Sequence, residues 1–146
     1  MTDIVREFEQ YCADNSIIFH YGEESHINLI ESNNLATQIY LLMFPPERSL
    51  LSGQIGQSFR QYRYSGRFML MVPADFSQQY HKEINHNAGK YETNIEPLLE
   101  AFKSFGEHLI KCGRFELSNW TNKDAINYLD ANKDGLWCTY SITQLI

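Results

Sequence analysis

Two segments of the sequence are apolar on both faces when they are read as strands, and each ends at proline. They are residues 36–44 (ATQIYLLMF), followed by Pro45-Pro46, and residues 67–72 (RFMLMV), followed by Pro73. A strand with one side in water alternates polar and apolar residues, whereas a run that is apolar on both sides is typical of a central strand. Proline ends such a run because it lacks the backbone N–H that strand pairing needs. The sequence therefore predicts two central strands that pair antiparallel.

The connection between these strands is long enough to form an arm. If the second strand begins near Gln57, it is about sixteen residues long and spans about 50 Å. Most strands have only about five or six residues. We therefore expect the outer half of this strand to project beyond the core, with residues 44–66 forming a long β-hairpin or loop arm.

Patterns elsewhere predict two helices and further strands. An apolar stripe at helical spacing follows Asp3, a favourable N-cap residue. A second stripe follows the capping-box pattern Thr93-x-x-Glu96 and ends before Gly113, a favourable residue after a helix. The predicted elements are a helix over 3–13, strands over 17–21 and 26–30, a helix over 94–112, and strands over 115–120 and 136–142. We expect a single α+β domain over residues 1–146, with a mainly antiparallel sheet and both helices packed on one face.

The connection is also the basic part of an acidic chain. Residues 48–67 hold four of the six arginines and no acidic residue, so this segment carries +4 while the whole chain carries −6. Arginine and tyrosine together are typical of the residues that dominate protein interfaces. The predicted subunit-interface residues are Phe44, Arg48, Phe59, Arg60, Tyr62, Arg63, Tyr64 and Arg67.

Two other interpretations of the basic segment remain open. Aromatic and arginine side chains also bind single-stranded nucleic acid, where bases stack on the rings and arginine contacts phosphate. Alternatively, solvated arginines can protect a strand edge from aggregation. The acidic remainder of the chain disfavours nucleic acid, because it repels phosphate within a screening length of about 8–10 Å.

No motif indicates an enzyme, a cofactor or a metal site. Asp130, Asn132 and Asp134, followed by glycine, match the first half of a calcium loop, but Ser141 stands where the bidentate glutamate belongs. The Asp-Gly pair is equally typical of a tight turn. The five histidines have no metal-ligand spacing, and the three cysteines form no close pair, which predicts free thiols. No secretory signal or membrane-spanning run is present in the sequence.

Four segments resemble the neck and tail-completion proteins of bacteriophages, particularly phages that infect Bacteroidetes. They are IYLLMFPPERS, YRYSGRFMLMVPADF, IEPLLEAFKSFGEHLIKCG and YLDANKDGLWCTYSI, and the resemblance covers about residues 36–146. Such head–tail connector and tail-terminator proteins are non-enzymatic α+β subunits of rings that enclose the DNA channel without sequence-specific binding. Long hairpins reach from each subunit to its neighbour.

The resemblance implies a structural virion protein at the neck or tail, present in the host cytoplasm during assembly. Its expected partners are copies of itself and neighbouring neck or tail proteins, with no membrane and no cofactor. The charge pattern independently fits a head-to-tail ring, in which the acidic body of one copy receives the basic arm of the next. A monomeric module that binds protein or nucleic acid through the same arm is the alternative.

Overall fold

The computed structural model describes residues 3–23, 38–52, 59–73, 91–125 and 133–145. They form two α-helices and a six-stranded sheet, so the predicted α+β class is confirmed. The predicted strand over 26–30 lies outside the described residues. No described helix has the length and apolar character needed to cross a membrane.

The helix boundaries follow local capping chemistry in one case and depart from it in the other. Helix α1 (Ile4–Asp14) begins after Asp3, whose carboxylate accepts a hydrogen bond from the Val5 amide at 3.2 Å. Helix α2 (Glu96–Lys111) follows a π-helical turn over Tyr91–Ile95. The predicted capping box is wrong, because Thr93 lies inside this turn and no described side chain caps α2.

The six strands form one sheet with a mostly antiparallel arrangement. They are β1 (Ile18–Tyr21), β2 (Tyr40–Met43), β3 (Glu47–Ser52), β4 (Phe59–Pro73), β5 (Phe115–Ala125) and β6 (Lys133–Leu145). The order is β1-β2-β4-β6-β5, and among these described strands only β1 and β2 run parallel. Strand β3 continues from β2 along the same edge of β4, opposite β6. The basic segment therefore belongs to a long hairpin that is part of the sheet.

The predicted long hairpin is present as β3 and β4, but the outer half of β4 is held within the sheet and does not extend as a free arm. Strand β4 has fifteen residues, close to the predicted length. However, its outer half is paired on both sides, with β3 along one edge and β6 along the other, as far as Gln61 opposite Leu145. The reason is the length of β6, which the sequence predicts over 136–142 but which has thirteen residues and flanks β4 almost completely.

Both faces of the central strands are buried, as the apolar runs predict. Both helices pack against one face, where Phe8 of α1 contacts Phe105 of α2 at 4.6 Å and Phe68 of β4 at 5.2 Å between ring centroids. A smaller buried cluster lies on the opposite face and contains Tyr40, Leu42, Phe44, Met69, Met71 and Ala125. Strands β2 and β4 therefore contribute to two apolar layers.

Candidate interaction surface

The side chains of the basic segment are divided between the two faces of the sheet. Successive residues of a strand point to opposite faces, and residues paired across strands share a face. Arg48 pairs with Tyr64, which places both on the face that carries the helices. Arg63 and Arg67 pair with Thr143 and Thr139 of β6 on the opposite face. The predicted interface residues therefore do not form one patch.

The members on the helix side are held within the chain. Arg48 donates two hydrogen bonds to the Asp3 carboxylate, at 2.9 and 3.0 Å, and this contact lowers the pKa of Asp3. Tyr64 is 1% exposed, and its hydroxyl donates to the Gln144 side chain at 3.2 Å. Burial raises the pKa of Tyr64 to about 12. The ring of Tyr62 stacks on Tyr64 at 5.5 Å. The Arg48–Asp3 contact attaches the start of α1 to the hairpin, and the Tyr64–Gln144 hydrogen bond attaches the hairpin to β6.

Two of the predicted interface residues belong to the core. Phe44 is 6% exposed and packs in the smaller apolar cluster, while Tyr64 packs in the larger one. Both side chains are apolar enough to fill the layers on the two sides of the sheet, and neither offers appreciable surface to a partner in this structure. Phe59 and Arg60 begin β4, but their side chains lie outside the described part of the chain.

Arg63 and Arg67 lie on a surface that we call the polar face. It consists of the polar side chains that β3, β4, β6 and β5 direct away from the helices, namely Glu47, Ser49, Gln61, Arg63, Ser65, Arg67, Thr139, Ser141, Thr143, Glu116, Asn119, Thr121 and Lys123. Most are small hydroxyl or amide side chains, and both arginines are exposed. The surface is therefore a hydrogen-bonding sheet face with two cations on its central strand.

The position of Arg67 is fixed by aromatic rings. Its guanidinium carbon lies 5.6 Å from the ring centroid of Phe44 and 5.2 Å from that of Trp137. A guanidinium within about 6 Å of an aromatic centroid is attracted by the electron-rich face of the ring. Arg67 thus lies at the border between the smaller apolar cluster and the polar face, with its charge still exposed.

Among the described side chains, the arginines of the polar face differ from Arg6, Arg48 and Arg114 in having no carboxylate partner. Arg6 pairs with Glu9, Arg48 with Asp3, and Arg114 with Glu7, at 2.8–2.9 Å. Within the described residues, Arg63 and Arg67 contact no carboxylate. They are four residues apart on one strand, or about 13 Å. The polar face therefore holds two arginines on its central strand, and Lys123 on β5, that no described carboxylate neutralises.

An acidic surface lies on the helix side of the molecule. Glu92, Glu96 and Glu100 recur every fourth residue along the π-helical turn and α2, and we call them the acidic strip. They border an open cleft of about 460 Å³, which is also lined by Tyr91, Pro97 and Leu99. Glu96 and Glu100 are exposed, and neither has a cation partner among the described side chains. Their regular spacing was visible in the sequence, but their common surface required the helix.

The half-matched calcium loop is only partly described. The Asp134 carboxylate is fully buried and accepts a hydrogen bond from the Asn94 side chain at 2.8 Å. Asp130 and Asn132 lie outside the described residues. Within the described ranges, no group of three or more His, Cys, Asp or Glu side chains could hold a metal ion. In this structure Asp134 connects β6 to the π-helical turn that precedes α2. All three cysteines are free thiols, as predicted.

No protein-family model matches this chain, and a search of curated proteins finds no significant match. The resemblance to phage neck and tail proteins therefore remains a hypothesis that rests on the sequence segments quoted above.

Proposed function

We propose that the protein is a non-enzymatic structural subunit that assembles with copies of itself through the polar face. The observation that carries this proposal is the exposure of Arg63 and Arg67 without a carboxylate partner among the described residues. Following the resemblance, the specific form of the proposal is a ring at the neck or tail end of a phage. Neighbouring neck or tail proteins are then its further partners.

The composition of the polar face supports a protein partner. Arginine is enriched among the side chains that dominate binding energy, and its planar guanidinium forms paired hydrogen bonds with carboxylates. The serine and threonine side chains beside Arg63 and Arg67 supply further donors and acceptors. Glu47, Glu116 and Lys123 occupy the outer strands of the same surface, and the two arginines are the charged side chains of its central strand. A contact of this kind is polar and sensitive to salt.

Nucleic acid is the second candidate partner, because arginine and hydroxyl side chains also contact phosphate oxygens. The polar face combines both kinds of side chain. This alternative predicts binding to a single-stranded oligonucleotide that weakens steeply with salt, since each neutralised phosphate releases counterions. Fluorescence anisotropy with a labelled oligonucleotide at about 0.1 and 0.3 M salt measures that dependence directly.

The test of self-assembly is the solution mass measured by light scattering after a sizing column. We expect a wild-type oligomer and a folded monomer for Arg63→Ser/Arg67→Ser. The matched control is Arg6→Ser/Lys111→Ser, which removes the same charge from the exposed surfaces of α1 and α2 and should assemble normally. A monomeric wild type, or a polar-face variant that assembles as well as the control, would overturn the proposal.

A further inference from the structure

The proposed assembly requires a surface that receives Arg63 and Arg67. We infer that this surface is the outer face of α2, where the acidic strip of one copy binds the polar face of the next. This inference rests on the proposed function and specifies its second half. The occupant of the α2 face is thus another copy of the same chain.

The stability of α2 alone does not account for all of the negative charge on this face of the helix. Carboxylates stabilise the first turn of a helix because its N-terminus carries partial positive charge, which accounts for Glu96. Glu100 lies one turn further on, where that effect fades. Like charges four residues apart also repel one another. A cation from outside the subunit would relieve this repulsion at Glu96 and Glu100.

The cleft beside the strip fits the rest of an arginine side chain. Arginine has an apolar stem and a planar charged end, and it buries the stem when an apolar surface is available. Leu99 and Pro97 supply apolar surface in the cleft, and the half-buried ring of Tyr91 offers an aromatic surface for a guanidinium. The cleft therefore provides contacts for both parts of the side chain beside the carboxylates.

The positions of the two surfaces determine the kind of contact. The polar face and α2 lie on opposite sides of the sheet, so no subunit can use the same surface on both partners. The contact is head-to-tail, and each copy donates arginines on one side and accepts them on the other. Such a contact gives a closed ring when the rotation between copies closes, and a filament when it does not.

Charge reversal tests this pairing. Arg63→Glu/Arg67→Glu and Glu96→Arg/Glu100→Arg should each raise the dissociation constant of assembly at least about tenfold, because each puts like charges in contact. Mixing the two variants in equal amounts should restore contacts between them, because each variant then meets a partner of opposite charge. The variant that carries all four reversals should also assemble. The control Glu9→Arg/Asp14→Arg alters charge on exposed positions of α1 and should behave as wild type.

The outcomes separate this inference from the proposed function. If Arg63→Glu/Arg67→Glu abolishes assembly but neither the mixture nor the fourfold variant restores it, the polar face binds a different surface and the inference is wrong. If the wild type is monomeric, both proposals fail. Circular dichroism verifies folding, and Glu96→Gln/Glu100→Gln replaces the arginine variant if reversal unfolds α2. The milder variant Glu96→Gln/Glu100→Gln should still weaken assembly. If it assembles as well as the wild type, the inference is overturned.

Discussion

Gly106 on α2 allows Trp120 of β5 to lie directly on the helix, and the change Gly106→Ala should therefore destabilise the fold. A Cβ atom at this position would lie 2.6 Å from the indole nitrogen of Trp120 and 2.9 Å from Cδ1. The same nitrogen donates a hydrogen bond to the Phe102 carbonyl at 3.0 Å. The indole ring also stacks on Phe102 at 5.0 Å and meets Phe105 edge-on at 5.4 Å.

The expected magnitude follows from three opposing contributions. Alanine is favoured over glycine inside a helix by about 1 kcal/mol. An added methyl in a packed site costs about 1–3 kcal/mol. Displacing the indole of Trp120 also disrupts its hydrogen bond, which contributes about 1 kcal/mol. We therefore expect Gly106→Ala to lower the free energy of unfolding by about 2 kcal/mol, against the direction that helix propensity predicts.

Urea denaturation measures this change in the free energy of unfolding, provided that its dependence on urea concentration is the same in both proteins. Trp120→Phe provides the matched background, because the smaller ring leaves room for the methyl group that Gly106→Ala adds. There the same substitution should be neutral or stabilising, giving a coupling of about 1–3 kcal/mol between the two positions. If Gly106→Ala stabilises the wild-type protein by about 1 kcal/mol, as helix propensity alone predicts, the close packing of Trp120 on the helix is refuted.

Three further predictions concern buried polar groups. Asn94→Ala should cost about 2 kcal/mol in urea unfolding, because it removes a hydrogen bond to the buried Asp134 carboxylate; a loss below about 0.5 kcal/mol would contradict this. Arg114→Ala should cost about 1–3 kcal/mol, because the Glu7 side chain it pairs with is only 9% exposed; an effect no larger than for an exposed ion pair would argue against it. Burial raises the pKa of Cys12 from 9.0 to about 12. As the pH rises, the thiol therefore loses its proton in the unfolded protein before it does so in the folded protein. The free energy of unfolding should fall by about 1.4 kcal/mol per pH unit between about pH 9 and pH 12. Cys12→Ala should remove that part of the alkaline loss, and an unchanged slope would refute the assignment.

The elements predicted best are those whose signals are local. The runs that became β2 and the inner half of β4 are apolar on both faces, and a sheet buried on both sides is the arrangement that satisfies them. Gly113 adopts a positive φ of 74° after α2, as expected for a residue without a side chain at the end of a helix. In these cases a few neighbouring residues determine the conformation.

Predicting how the outer half of β4 is held, and which residues form the site, requires information from distant parts of the sequence. Whether the outer half of β4 projects or pairs depends on the length of β6, a strand from a distant part of the sequence. Which side chains share a face depends on register, and a shift by one residue exchanges the faces. The sequence therefore predicted the composition of the basic segment, but not that Arg48 would pair with Asp3 while Arg63 and Arg67 faced away from the helices.

The net charge of the chain gives the proposed assembly an unusual salt dependence. Each copy carries −6, so copies repel one another over the screening length, which is about 30 Å at 0.01 M salt, about 10 Å at 0.1 M and about 3 Å at 1 M. The proposed contact between arginines and glutamates acts only at short range. At very low salt the long-range repulsion should oppose assembly, and at about 1 M salt the contact itself should be screened. Light scattering over this range should therefore show the largest mass near about 0.1 M salt. A mass that rises steadily with salt would instead indicate an apolar contact, which the polar face does not provide.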